Sequence, residues 1–139
     1  MTKSLLIALN AIDAKKGVEL VVLDVSKVAS FASFFILCTG ESSRQVQAIA
    51  DEVELQLKKQ GFRANHIEGY RNAEWVLLDY VDVVVHVFSK RARAYYDLER
   101  LWRDAKRLDA EELLKPQAAK APLRRTAPRR PTKDTAEAV

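Results

Sequence analysis

Three aspartates are the residues whose type and spacing come closest to a metal-dependent chemistry. Asp79 and Asp82 lie three positions apart at a predicted turn, and Asp24 lies near the end of a separate apolar run. Carboxylates that converge in space can hold Mg²⁺ for phosphoryl transfer. Aspartate is also a favoured turn residue, and side chains three apart across a turn project in different directions. The turn role is therefore favoured, and a Mg²⁺-dependent phosphoryl-transfer enzyme is the alternative.

The junction between a predicted strand and a predicted helix at residues 39–43 is a candidate phosphate-binding site, because N–H groups at a helix N-terminus can bind phosphate. The junction lacks the Gly-rich spacing and the Gly-Lys-Ser/Thr of phosphate-binding loops. Glu41 also places a negative charge where a phosphate would lie. Ser42 and Gln45 have the spacing of a capping box, which favours an ordinary helix start.

Histidine and cysteine give a weaker indication of chemistry. The chain has two histidines, and period-two counting places His86 on the same strand face as Val84 and Phe88. A packed or interfacial imidazole is expected there. Cys38, the single cysteine, lies within an apolar run and predicts a buried, unreactive thiol. One cysteine excludes an internal disulfide framework and a multi-cysteine zinc site.

The tyrosines and tryptophans are concentrated in one part of the chain. All six fall between residues 70 and 102, where charged side chains are interspersed with them. Both residue types are intermediate in burial and frequent at protein interfaces. The pattern therefore predicts either a core or a contact surface, with both readings open for each side chain.

The elements that must position these residues alternate in an α-β-(short α)-β-α-β-β-β-α order. The most secure helix has an apolar stripe at helical spacing and ends in Lys-Lys-Gln-Gly. This order predicts an α/β (α+β) fold with a mixed five-stranded sheet flanked by helices. The predicted strands are 19–25, 34–39, 64–68, 75–80 and 83–88, and the predicted helices begin near Ser4, Ser43 and Lys90, with a short helix within 26–33.

Charge divides the chain of 139 residues unevenly. Residues 1–115 hold 17 basic and 17 acidic residues, whereas Pro116–Val139 holds six basic and two acidic residues and all four prolines. The sequence predicts one domain at 1–112 and a basic, Pro-rich disordered tail at 113–139. The tail is favoured as a solubilising extension, and a tail-driven RNA-binding module is a further alternative.

No segment is apolar enough to predict membrane insertion. The longest uncharged run is Val28–Gly40, 13 residues, whereas a bilayer-spanning helix needs about 20. The N-terminal apolar run is interrupted by Asn10 and Asp13 before any clean cleavage site. A cytoplasmic protein with no membrane partner is expected.

A resemblance to a known family follows from four segments. The block 68–102, with Trp75-Val-Leu-Leu-Asp-Tyr-Val-Asp-Val-Val-Val-His-Val-Phe88 and Asp97-Leu-Glu-Arg-Leu-Trp102, closely resembles the ribosomal silencing factor family (RsfS, or Iojap). Val21–Val25, Phe34–Gly40 and Ser43–Val46 match in the same order, so the resemblance covers about residues 3–109. It implies a nucleotidyltransferase-like fold without the catalytic carboxylates. It also implies a protein that is not an enzyme, with no catalytic residue, metal or cofactor. The alternative is a Mg²⁺-dependent, nucleotidyltransferase-like enzyme that uses Asp24, Asp79 and Asp82.

The resemblance also implies a partner and an effect. Members of the family dock on the large ribosomal subunit through the ribosomal protein uL-fourteen and block joining of the small subunit, which lowers translation when nutrients are scarce. Homodimers and a ribosomal RNA contact by the basic tail are further expectations.

The contact surface that the resemblance implies combines apolar anchors with polar groups. An acidic side chain in it would meet a basic group on the ribosomal protein. The candidate contact residues are Trp75, Tyr80, Asp82, His86, Tyr96, Leu101 and Trp102, with Arg71 and Asp79 of second rank. The chain departs from the family pattern in the basic segment 89–93 and at Glu41.

Overall fold

A computed structural model of the chain describes residues 3–114. Contacts divide the chain into two units, Met1–Leu108 and Asp109–Val139. Within 109–114, Asp109 Oδ1 accepts hydrogen bonds from the N–H groups of Glu111 and Glu112 and caps a helical turn. Of the tail predicted at 113–139, Leu113 and Leu114 belong to this helical turn, and residues 115–139 lie outside the described residues, so disorder there stays a prediction.

The first unit contains four helices and six strands among its described residues. They are α1 (Lys3–Ala14), β1 (Val18–Asp24), β2 (Phe34–Gly40), α2 (Ser43–Lys59), β3 (His66–Glu68), β4 (Trp75–Asp79), β5 (Val83–Ser89), α3 (Lys90–Tyr96), α4 (Leu98–Leu101) and β6 (Lys106–Leu108).

The strands form one mixed sheet in the order β3-β4-β5-β2-β1-β6. Only β2 and β5 pair in parallel, and the other neighbours are antiparallel. The mixed α+β class is confirmed, but the sheet has six strands rather than the predicted five. The extra strand β6, Lys-Arg-Leu, pairs with β1 through its backbone. Its side chains carry no alternating apolar pattern, so no local signal predicts this strand.

Helices α1 and α2 pack on one face of the sheet. The central strand β5 is apolar nearly throughout and buried along both faces, as a continuous apolar run predicts. The buried stripe of α2, which includes Ile49 and Val53, belongs to the helix that packs against β2, β4 and β5, and α1 packs against α2. Gly40 lets α2 begin directly after β2, because a Cβ there would lie 2.8 Å from Val46 Cγ2.

Two predicted helices differ in the structure. The helix predicted from Lys90 through Trp102 is divided at Asp97, whose φ of 45° is left-handed and ends α3. The expected short helix within 26–33 is absent, and this segment of the described chain consists of turns and bends after Val25. Apolar spacing after Lys90 predicted one helix, because such spacing carries no information about the left-handed backbone at Asp97.

Candidate binding surface

Alternation along the strands places a set of large rings on the sheet face opposite α1 and α2. Trp75 and Leu77 on β4, His86 on β5 and Phe35 on β2 project to the same side, since β-strand side chains alternate with period two. Helices α3 and α4 cover part of this face with Ala92 and Leu98. Trp75 and Leu77 therefore stay only partly buried.

The rings on this face form a continuous series, the aromatic row, which runs diagonally across β4, β5 and β2, because Trp75 lies opposite Phe88 and Phe35 lies opposite Val84. Tyr96 lies 4.7 Å from Trp75 between ring centroids, and Trp75 lies 5.9 Å from His86. His86 lies 4.9 Å from Phe35, which lies 5.1 Å from Trp102. Phe31 completes the row at 6.0 Å from Trp102. The aromatic row comprises Phe31, Phe35, Trp75, His86, Tyr96 and Trp102.

His86 lies beneath this surface rather than on it. Its imidazole is 4% exposed, and Nδ1 accepts a 3.1 Å hydrogen bond from Trp75 Nε1–H. Burial lowers the pKa of His86 to about 3, so the ring is neutral at physiological pH. The packed imidazole that alternation predicts is present, and a direct role in binding a partner is not available to it in this conformation.

The ends of the aromatic row are open to solvent. Phe31 is 59% exposed, and Tyr96 is about half exposed beside the still more exposed Tyr95. Leu101, 73% exposed, lines a cleft of about 670 Å³ together with Tyr95 and Tyr96. Exposed apolar side chains that adjoin one another mark interaction sites more often than scattered ones do.

An internal ion pair holds α3 and α4 beside the row. Arg93 is buried and donates to both carboxylate oxygens of Glu99, at 3.0 and 3.1 Å, and to Thr39 Oγ1 at 2.9 Å. The hydrogen bonds from Arg93 hold the pKa of Glu99 below its usual range. This contact joins the start of α4 to the end of β2. Sequence analysis did not single out Arg93 because spacing alone cannot pair residues from β2, α3 and α4.

Tyr80 does not belong to this surface. It follows β4 with the parity of Val76 and Leu78, which places it on the α2 side of the sheet, and it is buried. Burial raises the pKa of Tyr80 to about 12, with a further contribution from Glu54 on α2. The prediction that grouped Tyr80 with Trp75 treated the aromatics as one block and did not apply strand alternation to them.

Asp79 and Asp82 act in a turn. Asp79 Oδ1 accepts a 2.8 Å hydrogen bond from Val81 N–H, which supports the positive φ of Val81. Asp82 Oδ1 accepts one of 3.0 Å from Ser33 Oγ. Asp82 remains exposed at the rim, Asp79 is partly exposed, and Arg71 lies exposed in the turn between β3 and β4. The turn role that the sequence favoured is present.

The aspartates do not assemble a metal centre. Two strands, β5 and β2, separate β4 from β1, so Asp24 and Asp79 lie about 14 Å apart across the sheet. Asp24 instead accepts hydrogen bonds from Ser26, which lower its pKa. Among residues 3–114, no group of three or more His, Cys, Asp or Glu side chains is placed to hold a metal ion.

The strand–helix junction is a capped helix start. Ser42 Oγ accepts from Gln45 N–H at 3.0 Å, and Gln45 Oε1 accepts from Glu41 N–H at 2.6 Å. The Gln45 amide also donates to the carbonyls of Lys15 and Lys16. These contacts use donors that a phosphate would need. Cys38 is buried, as expected, and burial raises its pKa to about 12.

Two members of the aromatic row were not among the predicted site residues: Phe31, which is exposed, and Phe35, which is buried beneath the surface as His86 is. The signal was present for Phe31, a large apolar residue between small and polar neighbours in a loop. No such signal marks Phe35, because its run is apolar on both strand faces.

An α+β domain with α1 and α2 on one sheet face, and an aromatic row with exposed ends on the face that α3 and α4 cover only in part, is typical of a protein that binds another macromolecule. Across the part of the chain that is described, no helix has the length and apolar character needed to cross a membrane.

Comparisons with known proteins agree with this class. The model of the family described as "Ribosomal silencing factor during starvation" matches residues 1–136, further into the tail than the motifs reached. The chain is 46% identical over 108 residues to the ribosomal silencing factor RsfS of Halalkalibacterium halodurans, covering 78% of this chain and 92% of that protein. The chain is 44% identical over 110 residues to RsfS of Bacillus subtilis, covering 78% of this chain and 93% of that protein. A Chromobacterium violaceum crystal structure, 41% identical, superposes with a TM-score of 0.70 over 73% of this chain and 87% of that one.

The chain belongs to the ribosomal silencing factor family. Its members are non-enzymatic, ribosome-binding regulators of translation that act on the large ribosomal subunit. The resemblance that the motifs implied is thereby confirmed at the level of family, fold and regulatory role.

Proposed function

We propose that the aromatic row docks on the ribosomal protein uL-fourteen of the large subunit and so prevents joining of the small subunit. The observation that carries this proposal is a row of rings with exposed ends on the sheet face that α1 and α2 leave uncovered. The family's action on the large subunit supports the choice of partner. Occlusion needs no chemical step, which fits a surface built from rings rather than from reactive groups.

The anchors in this proposal are the partly exposed rings. Trp75, Trp102 and Phe31 supply apolar contact area with few rotatable bonds, and Tyr96 adds a hydroxyl. Leu101 extends the apolar area at the α4 end. Asp82 at the rim provides a carboxylate for a basic side chain of an RNA-binding ribosomal protein. Tyr80 and His86 support the surface from within, because both are buried.

The physiological setting follows from the same proposal. A protein that keeps large subunits from joining lowers translation, and a family whose model is named for starvation acts when nutrients are limiting. Such a protein works in the cytoplasm, where free subunits are. Contact of the basic tail with ribosomal RNA and formation of a homodimer belong to the same proposal as additions that modulate binding.

The test is co-sedimentation of the protein with separated large subunits, small subunits and joined ribosomes. We expect wild type to pellet with large subunits and to reduce joining on remixing. Trp75→Ala combined with Phe31→Ser should weaken binding at least about 30-fold, because central aromatic anchors dominate interface energies.

The matched control is Tyr70→Ala. Tyr70 is also an exposed aromatic, but it bonds to Asp51 on α2 and lies outside the row. Tyr70→Ala should pellet as wild type does. Equal pelleting of the double variant and the control would overturn the proposed surface, and no pelleting of wild type with any particle would overturn the proposed function.

A further inference from the structure

We propose that His86 is a positioning residue for partner recognition: it fixes the orientation of the Trp75 indole and satisfies its N–H, so that Trp75 presents only its ring to the partner. This proposal rests on the proposed function of the aromatic row. In this proposal the buried His86 holds the partly exposed Trp75 in the orientation that binds the partner.

Within residues 3–114, the Trp75 indole N–H has one hydrogen-bond acceptor, Nδ1 of His86. The indole contacts the rings of Phe88 and Tyr96, at 5.1 and 4.7 Å between ring centroids. Nδ1 of His86 lies 3.1 Å from Nε1 of Trp75 and accepts its hydrogen bond. Without that nitrogen, the half-buried N–H would lose its partner and the ring would be free to turn toward water.

His86 can serve as an acceptor because nothing nearby favours its charged form. Its strand neighbours are Leu37 on β2 and Leu77 on β4, and the rings of Phe35 and Phe88 flank it. Burial is the one cause that lowers its pKa, and no charged group contributes. The lone pair on Nδ1 therefore stays available across physiological pH.

The burial of His86 Nε2 distinguishes a positioning role from direct contact with the partner. With Nδ1 accepting, Nε2 carries the proton, yet it is buried and has no hydrogen-bond partner among the described residues. A buried polar atom without a partner is a cost that a phenylalanine at this position would avoid. Nδ1, the nitrogen that does have a partner, is the one that orients Trp75. Partner recognition therefore accounts for a histidine at this position, whereas stability alone would favour phenylalanine.

A fixed indole reduces the entropy that is lost when a partner binds. Immobilising one large side chain in advance, together with satisfying its donor, corresponds to about a 10-fold gain in affinity. Loss of the His86 acceptor should therefore weaken binding by about that factor and leave the fold in place.

The experiment is a double-mutant cycle for binding to large subunits. His86→Phe retains a ring in the stack and removes the acceptor, and Trp75→Phe retains a ring and removes the donor. We expect His86→Phe to weaken binding about 10-fold in the wild-type background. In the Trp75→Phe background it should have no further effect, because there is no N–H left to orient.

Fluorescence gives a readout that does not need the ribosome. In a Trp102→Phe background, Trp75 is the only tryptophan, and His86→Phe should shift its emission to the red and raise its accessibility to acrylamide. His86→Asn places an amide oxygen near the position of Nδ1 and should restore part of the wild-type emission. Urea unfolding shows that each variant is folded.

Two results would overturn the positioning role: equal losses of affinity from His86→Phe in both backgrounds, or Trp75 emission that is unchanged by His86→Phe. If wild type fails to bind large subunits, the proposed function fails, and the emission of His86→Phe still decides whether His86 orients Trp75.

Discussion

At the scale of single residues, burial decides which aromatic and polar side chains can reach a partner. The Trp75 indole on β4 donates a hydrogen bond to His86 on β5. Of these two side chains, only the indole is partly exposed. Tyr80 lies five residues after Trp75 and points to the opposite face. A uniform block of aromatic and acidic residues in the sequence thus separates into anchors, a supporting imidazole and a core tyrosine.

The buried imidazole predicts a specific pH dependence of stability. Folding lowers the pKa of His86 to about 3 from about 6.5, so between these values the unfolded chain binds a proton that the folded chain does not. The free energy of unfolding therefore falls as the pH falls through this window, by up to about 1.4 kcal/mol per pH unit from this group. Urea unfolding of wild type and His86→Phe at pH 7, 6, 5 and 4 measures it.

The variant should give the flatter curve, because its ring cannot take up a proton in either state. His66→Phe is the comparison variant, since it removes the other histidine, which is exposed on the edge strand β3 and contacts Glu68. Parallel curves for wild type and His86→Phe would contradict a neutral, buried His86.

At the scale of elements, the pair α3 and α4 determines how one end of the aromatic row is held. Ser89 begins α3 by accepting from Ala92 N–H at 3.1 Å, and the left-handed Asp97 ends it. Arg93 then joins α4 to β2 through Glu99 and Thr39. Tyr95 and Tyr96 lie on α3 between these points, so their placement depends on the ion pair.

Arg93→Met tests this dependence. Removing one partner of a buried pair leaves the other without compensation, so the variant should lose about 3 kcal/mol of unfolding free energy. Arg100→Met, at an exposed arginine on α4, should change it by less than about 0.5 kcal/mol. Chemical denaturation of both variants measures the difference, and equal stabilities would show that Arg93 does not hold these helices.

At the scale of the whole molecule, the net positive charge lies in the C-terminal part of the chain and not in the part that contains the sheet. The excess of positive charge lies in Pro116–Val139, with six basic and two acidic residues, whereas residues 1–115 are balanced. Docking through the aromatic row therefore needs no net charge on the domain. Most of the salt dependence should originate in the tail, and the Asp82 contact should add a smaller part.

Deletion of residues 115–139 tests this division. Contacts between basic side chains and RNA phosphates make log affinity fall with log salt concentration in proportion to the number of contacts. The shortened chain should retain affinity for large subunits within about 10-fold and show a shallower salt slope. Sedimentation at several potassium concentrations measures both, with a full-length chain whose tail arginines are glutamine as the control. An unchanged slope would exclude the tail from ribosome contact.

Residues with strong local signals were predictable from the sequence. The apolar runs at β2 and β5, the capping residues Ser42 and Gln45, and the buried Cys38 all depend on neighbours a few positions away. The strand β6 and the break at Asp97 were not predictable. Backbone pairing with β1 stabilises β6, and the left-handed residue is set by the packing of α3 and α4 on the sheet.

The sequence by itself determined the α+β class, the family resemblance and the concentration of aromatic residues between 70 and 102, because these follow from composition, short-range periodicity and motif. The tertiary structure alone decided which of those residues form the surface. Phe31 and Phe35 come from a loop and a strand distant in sequence from Trp75 and Trp102, and the parallel pairing of β2 with β5 brings them into one row. Long-range strand pairing is set by the packing of the whole domain, so no local pattern encodes it.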